Sequence, residues 1–180
     1  MKKDTKKEIK YFTIFEHEKE EEYLREKHKS GWKFVKVSGL GVYHFVKCEP
    51  EDVIYQLDYN KDGLAHKDEY IQMFSDCGWE YMQDYVGYSY FRKPLSQMNQ
   101  EEEIFCDDIS KFEMIDRVFK RRAIPLLVIF LAMILPMFFM SIFVWKEYSY
   151  TAVYAPIIIL FIIVFIRCAI KRNEYKKRTK

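Results

Sequence analysis

Reactive and ligating residue patterns are scarce in this 180-residue chain. It has four cysteines, Cys48, Cys77, Cys106 and Cys168, and no CxxC pair. That spacing argues against a structural zinc site or a dithiol redox motif and fits reduced thiols. The four histidines, His17, His28, His44 and His66, form neither HExxH nor HxH, so a catalytic zinc centre has no sequence support. No phosphate-cradling GxxxxGK[ST], dinucleotide GxGxxG or nucleophile-elbow GxSxG occurs. Basic residues are not in excess in the first two thirds. Residues 1–122 carry 21 Lys/Arg against 25 Asp/Glu, a net charge of −4, which excludes a basic nucleic-acid-binding module. The polar N-terminus has no apolar run of the signal-peptide kind. Only six glycines are present, and none lies in the apolar runs near the C-terminus, so a glycine-based helix-pairing face is not indicated there.

Charge is also missing in one long block, and this defines the organisation. Residues 123–166 hold only Lys146 and Glu147, whereas residues 167–180 carry seven bases against Glu174. Ile124–Trp145 is a 22-residue uncharged run, long enough to cross a hydrocarbon core of roughly 30 Å as a helix. Ala152–Ile166 is a second run, extendable to Ile170 if Arg167 snorkels. A turn too short for anything but a hairpin joins them, with Trp145, Tyr148, Tyr150 and Tyr154 clustered as in an interfacial aromatic belt. Lys120, Arg121 and Arg122 precede the first run, and Arg167, Lys171 and Arg172 follow the second. The positive-inside rule therefore places both termini in the cytoplasm of a cell membrane crossed twice. These six bases are the expected contacts to anionic inner-leaflet headgroups. The spans contain no acid, histidine or amide at mid-depth; Ser141 and Thr151 are their main small hydroxyls. An ion or proton path needs such groups, so the hairpin reads as an anchor.

The preceding region reads as a tandem repeat. Glu22-Tyr23, Gly31-Trp32 and Tyr43 recur at an offset of 47 as Glu69-Tyr70, Gly78-Trp79 and Tyr90. Aromatic and β-branched residues predict strands over 9–15 and 53–59, each followed by a helix, over 18–29 and 67–76. Tyr70, Ile71, Phe74 and Cys77 share one stripe of the second helix. Gly31 and Gly78 stand where a helix ends on a positive-φ glycine. Strands then start at Trp32 and Trp79, turn at Ser38–Gly41 and near Gly87, and return over 42–47 and 88–93. A further strand over 103–106 and a helix over 108–122, capped by Asp107 or Asp108, lead to Pro125, read as a break or kink. Seven strands and three helices are thus expected, in an α+β fold of two strand–helix–strand–strand repeats followed by a two-helix transmembrane hairpin. The expected divisions are a soluble domain at 1–107, a juxtamembrane helix at 108–122, spans at 123–145 and 152–170, a turn at 146–151 and a basic tail at 171–180.

Candidate binding residues lie in the second repeat. Tyr81, Tyr85, Tyr88 and Tyr90 alternate with Gln83, Asp84 and Ser89. The pattern fits a cross-strand ladder on a half-wet sheet. It also fits the lining of a pocket for a flat or cationic ligand, which makes Tyr85, Tyr88 and Tyr90 the candidate ligand or partner surface. The tryptophans read as core anchors. Glu16-His17-Glu18 reads as a solvated strand-to-helix turn. Asp58 to Glu69 fits the calcium-loop spacing DxNxDGxxxxxE, but between a strand and a helix rather than two helices; turn chemistry is the favoured reading. Catalytic, cofactor and metal residues are accordingly expected to be none.

Several segments together carry a family resemblance: Phe12-Thr13-Ile14-Phe15, Glu22-Tyr23-Leu24, Gly31-Trp32, Tyr43-His44-Phe45, Val53-Ile54-Tyr55-Gln56-Leu57-Asp58, Gly78-Trp79-Glu80 and Tyr90-Phe91-Arg92-Lys93-Pro94. The chain resembles the bacterial domain-of-unknown-function family 2812 over about residues 10–122. Cys106-Asp107 departs from the family's usual Thr-Asp pair. The resemblance implies a C-terminal membrane hairpin and, because members are often encoded beside PadR-type regulators, membrane-linked sensing; it implies no catalytic residues. The expected function is a membrane-anchored cytoplasmic binding or regulatory module with a protein partner and no enzyme activity. The alternatives are a small effector, such as an immunity or transport accessory protein, acting through the hairpin, and an enzyme without a recognisable motif.

Overall fold

Two compact units make up the chain, Met1–Ser110 and Lys111–Lys180, in a computed structural model. The structure describes residues 4–13, 16–59, 66–98, 108–144, 146 and 148–178. In the first unit the order is β1 (Thr5–Ile9), α1 (His17–Lys29), β2 (Trp32–Ser38), β3 (Val42–Lys47), β4 (Val53–Tyr59), α2 (Lys67–Asp76), β5 (Glu80–Tyr85) and β6 (Tyr88–Pro94). A 3-10 turn at Leu95–Gln97 follows. The same strand–helix–strand–strand order thus occurs twice. Each half forms an antiparallel three-stranded sheet with the last strand central, β1-β3-β2 and β4-β6-β5.

The two helices form for different reasons. α1 is almost entirely Glu, Lys and Arg, with acids in its first turn and bases in its last, matching the helix dipole. Gly31 ends it at φ 81°, where a Cβ would stand 3.1 Å from the Cys48 carbonyl. α2 is shorter and packs Phe74 on Trp79 and Phe91, flanked by Ile54, Tyr70, Tyr81 and Met98. α1 instead packs against β2 and β4, belonging to different sheets. The second sheet is therefore covered on both faces, and every residue of β6 from Tyr88 to Lys93 is buried. The first sheet keeps the half-buried alternation of a one-sided sheet, with Tyr43 and Phe45 inward and His44 and Val46 partly exposed.

Several expectations are corrected. β1 lies at Thr5–Ile9, ahead of the apolar run at 9–15. The run's Phe12 packs its ring on Tyr23 and Tyr43 instead of joining the sheet. β6 is a central, fully buried strand, not part of a half-wet sheet, because α1 covers the face that α2 leaves open. Cys77 is exposed at the end of α2 rather than part of its apolar stripe. Trp79 is a core anchor, whereas Trp32 is half-buried under the Lys6 ammonium, 5.4 Å from its ring centroid. The five other strands expected between 32 and 93 are present among the described residues; 103–106 and the Asp107/Asp108 cap side chains lie outside them.

The hairpins reveal a one-residue difference between the halves. Each has a bulge at the matching site, between Phe34 and Lys36 in β2 and between Tyr81 and Gln83 in β5. Before the bulge, Phe34 pairs with Phe45 and Tyr81 with Phe91. The β2–β3 turn is Gly39-Leu40-Gly41, and the β5–β6 turn is only Val86-Gly87. Phe91 therefore takes the place of Phe45, and the sequence match of Tyr43 with Tyr90 is off by one. Since strand faces alternate, that slip turns Tyr90 to the opposite face.

The second unit is helical. α3 (Asp108–Val118), α4 (Ile124–Ile129) and α5 (Leu135–Phe143) are joined by π turns at Phe119–Ala123 and Phe130–Ile134. Each π turn ends within two residues of a proline, Pro125 or Pro136. Proline removes the donor that would reach residue i−4 and its ring crowds that carbonyl. Widening the preceding turn absorbs the fault without breaking the helix. The expected break at Pro125 is therefore replaced by a continuous helical run. α6 (Tyr148–Arg178) is also continuous, so the expected basic tail is helical through Arg178 and the turn is shorter than 146–151. The runs Phe112–Phe143 and Ser149–Lys177 are both long and apolar enough to cross a membrane. They meet along a seam where the Phe130 and Phe161 rings stack at 5.1 Å and the Ser141 and Thr151 hydroxyls lie 3.0 Å apart. At the other end Asp116 takes Arg172 at 2.8 Å and Lys120 at 2.6 Å.

Candidate functional site: a tyrosine-walled cavity over Glu20

α1 looks like a solvated helix by composition, yet four of its residues are buried: His17, Glu20, Leu24 and His28. Their spacing of three or four residues is one helical stripe, and it is mainly polar. Each polar member is met by a partner from another element. The His28 Nδ1 lies 2.8 Å from the Tyr55 hydroxyl. His17 stacks on the Tyr88 ring at 6.0 Å between centroids. Glu20 Oε1 accepts hydrogen bonds from the Tyr43 hydroxyl at 2.6 Å and the Tyr90 hydroxyl at 2.5 Å. Neighbouring Glu21, half-buried, accepts the Leu57 backbone N–H at 2.7 Å and ties α1 to β4.

A cavity of about 150 Å³ opens above Glu20. Its floor is Glu20 and His17. Its walls come from the segment after β1 (Lys10–Thr13), from Leu40, Gly41 and Tyr43 of the first hairpin, and from Tyr85, Val86, Tyr88 and Tyr90 of the second. Two local devices fix the walls. The Glu16 carboxylate accepts from the Thr13 N–H at 3.0 Å and the Thr13 hydroxyl at 2.9 Å, folding the segment back onto the start of α1. Gly41 (φ 80°) lets the segment lie close, since a Cβ there would stand only 2.2 Å from the Lys10 carbonyl. The hairpins are clamped together by Tyr85, whose hydroxyl donates to the Gly39 carbonyl at 2.8 Å and accepts the Gly41 N–H at 3.2 Å.

The electrostatics follow from burial. Glu20 is 7% exposed. Burial pushes its pKa above the ordinary 4.5, and the two tyrosine hydrogen bonds only partly counter that. Burial and the nearby Glu20 carboxyl in turn push the Tyr43 and Tyr90 hydroxyls well above their ordinary range. Glu16, bonded to the wall residue Thr13, is held at about 2 by hydrogen bonds from Lys19 and Thr13. The Glu20 and Glu16 carboxyls of α1 and its start thus sit on opposite sides of the usual range.

All three tyrosines singled out by the sequence pattern, Tyr85, Tyr88 and Tyr90, line this one cavity. The pattern pointed to them but missed Glu20, His17 and Tyr43. The solvated reading of Glu16-His17-Glu18 holds for Glu18 and fails for His17, which is 6% exposed beneath Tyr88. The face of α1 that packs on the second sheet carries no apolar signal except Leu24, so hydropathy could not reveal it. Among the six membrane-surface bases, Lys120 and Arg172 are paired to Asp116, and Arg172 also lies 4.9 Å from the Phe119 ring centroid. Lys171 rests over the Tyr175 ring. Arg121, Arg122 and Arg167 are exposed. Of the calcium-like spacing, Asp58 is buried and accepts the Tyr70 hydroxyl at 2.7 Å, while Glu69 is exposed; 60–65 lie outside the described residues. Among the described residues no cluster of three or more His, Cys, Asp or Glu is arranged to hold a metal ion.

No curated protein and no solved structure matches the chain. The family model described as "Protein of unknown function (DUF2812)" matches residues 16–129. That span takes in α1 with its buried stripe, both hairpins, and therefore the floor and most of the walls of the cavity. The chain thus belongs to the DUF2812 family of proteins of unknown function.

Proposed function

We propose that this protein is a membrane-anchored binding module that reports a bound ligand to a regulatory partner, and not an enzyme. The observation that carries this reading is one open cavity lined by Tyr43, Tyr85, Tyr88 and Tyr90, of which Tyr43 and Tyr90 meet on Glu20. Aromatic walls with one oriented polar group suit recognition of a small molecule. The tyrosine hydroxyls on Glu20 lie far above neutrality and are poor acid–base groups at physiological pH. The two apolar helices supply the anchor, with both termini in the cytoplasm of a cell membrane by the Lys/Arg bias. Arg121, Arg122 and Arg167, exposed at the ends of the spans, are the bases best placed for anionic lipid. A link to a transcription regulator is the regulatory partner the family resemblance points to. An effector role for the hairpin is less favoured, because its small hydroxyls Ser141 and Thr151 face each other.

The test is site-specific photocrosslinking in native membranes of the full chain. A photoreactive residue at Leu40, exposed on the cavity wall, is compared with one at Met73, exposed on α2. A discrete adduct at Leu40 and none at Met73 is expected. Equal labelling at both sites, or none at Leu40, would remove the cavity from the function.

A further inference from the structure

The cavity has a chemical bias that its shape alone does not express. Several hydrogen-bond donors on its walls are already engaged. The Tyr43 and Tyr90 hydroxyls donate to Glu20, and the Tyr85 hydroxyl donates to the Gly39 carbonyl. The Gly41 N–H is taken by the Tyr85 oxygen. The wall cation, Lys10, stands over the Tyr23 ring at 5.6 Å from its centroid. Beside His17 and Tyr11, the lining offers the Glu20 carboxyl and the rings of Tyr43, Tyr85, Tyr88 and Tyr90.

The buried carboxyl and the tyrosine rings favour a ligand that brings donors or positive charge. An anion would face Glu20 with the tyrosine hydrogens already spent. A neutral apolar guest would fill the walls but add nothing to the two hydrogen bonds the buried carboxyl already accepts. A cation answers both, since aromatic faces attract it and the carboxylate neutralises it. Size narrows the class further. About 150 Å³ is the scale of a benzene-sized guest and well below the roughly 300–1,000 Å³ of drug-sized pockets.

We infer that the Glu20 cavity binds a small organic cation of the alkylammonium class, its charged head seated on the tyrosine faces and directed at the Glu20 carboxylate. This assignment rests on the binding-module reading above and specifies its ligand. Binding then draws Glu20 toward its ionised form, with proton release as the consequence. The titratable groups that line the cavity with Glu20 are Lys10 and Tyr11 after β1, His17 on α1, Tyr43 on β3, Tyr85 on β5, and Tyr88 and Tyr90 on β6.

The experiment is calorimetric titration of the full chain in lipid nanodiscs with choline and with its neutral isostere 3,3-dimethylbutan-1-ol. The unmodified protein is expected to bind choline at least ten-fold more tightly than the alcohol, with affinity rising with pH. Glu20→Gln, whose amide oxygen still accepts both tyrosine hydroxyls, is expected to lose at least ten-fold in choline affinity and to leave the alcohol unchanged. Equal affinity for choline and alcohol would overturn the cation assignment while keeping the cavity as a binding site. Binding of neither would also overturn it, and the Leu40 crosslink then decides the binding-module reading separately. The two-ligand comparison uses the unmodified chain, so it stands even if the variant fails to fold.

Discussion

Tyr90 of β6 reaches Glu20 of α1 across 70 residues of sequence and donates its hydroxyl hydrogen at 2.5 Å. Tyr43 reaches the same carboxylate oxygen from the other sheet. One acidic side chain is therefore the joint between two sheets and the floor of the cavity between their hairpins. Replacing it by Ala strands two buried hydroxyls, at about 1–3 kcal/mol for each group left unsatisfied. Glu20→Gln keeps an acceptor and is expected to be tolerated. Denaturant unfolding of the three proteins checks the order: Gln close to the original, Ala clearly below both.

The raised pKa of Glu20 gives a pH dependence of defined sign. Between the ordinary 4.5 and the raised value, the folded protein holds a proton that the unfolded chain has released. The contribution is complete below 4.5 and is lost as pH rises through the folded-state value. Glu8, held at about 2 because hydrogen bonds from Lys27, Lys6 and Tyr23 outweigh its burial, acts in the opposite sense and at lower pH. It is common to both proteins, so thermal melts of the original and Glu20→Gln isolate the Glu20 term. The stability difference should shift steadily in favour of the variant as pH rises above 4.5. A constant difference from pH 4 to 8 would contradict the buried, proton-binding carboxyl.

Gly41 and Gly39 sit in the same turn and should respond very differently to alanine. At Gly41 the new Cβ meets the Lys10 carbonyl at 2.2 Å, whereas at Gly39 nothing lies within 4 Å. Both have positive φ, so both carry the left-handed penalty of about 1–2 kcal/mol. Only Gly41→Ala must also push back the segment forming a cavity wall. Hydrogen exchange of the amides of residues 10–13 should therefore accelerate in Gly41→Ala and stay unchanged in Gly39→Ala.

Phe91 anchors the second sheet on α2. It is fully buried, with the Phe74 ring 4.5 Å from its own and Tyr70 and Tyr81 at 5.8 and 5.7 Å. Phe91→Ala should cost about 3–5 kcal/mol, read as a lowered denaturation midpoint. Leu95→Ala, at a side chain 45% exposed, should stay within about 0.5 kcal/mol of the original.

Membrane topology gives a direct labelling prediction. Under the proposed orientation, with both termini inside, a cysteine introduced as Ser149→Cys at the start of α6 should react with an impermeant thiol reagent on intact cells. The exposed Cys77 should react only after permeabilisation. Labelling of Cys77 from outside would invert the orientation.

Much of the architecture was legible in the sequence because its signals are local. Periodicity marks β3, β4 and α2 to the residue, and uncharged length marks the two long apolar helices. Gly31 and Gly78 end their helices as read, at φ 81° and 80°. Where local signals mislead, the cause is also identifiable. The apolar run at 9–15 resembles a strand, yet Phe12 gains more by packing on Tyr23 and Tyr43, and the sheet pairs the polar Thr5–Ile9 instead.

The sequence alone determined the element order, the duplicated strand–helix–strand–strand plan, the uncharged helices and the tyrosines of β5 and β6. Tertiary structure decided what those tyrosines face. A turn shorter by one residue, Val86-Gly87 in place of Gly39-Leu40-Gly41, reverses Tyr90 relative to its counterpart and aims it at α1 rather than α2. Burial of Glu20 is likewise invisible to composition, because a carboxylate on a charged helix is ordinarily solvated. Only the docking of α1 against both sheets, which brings two tyrosine hydroxyls onto one oxygen, makes its removal from water sustainable.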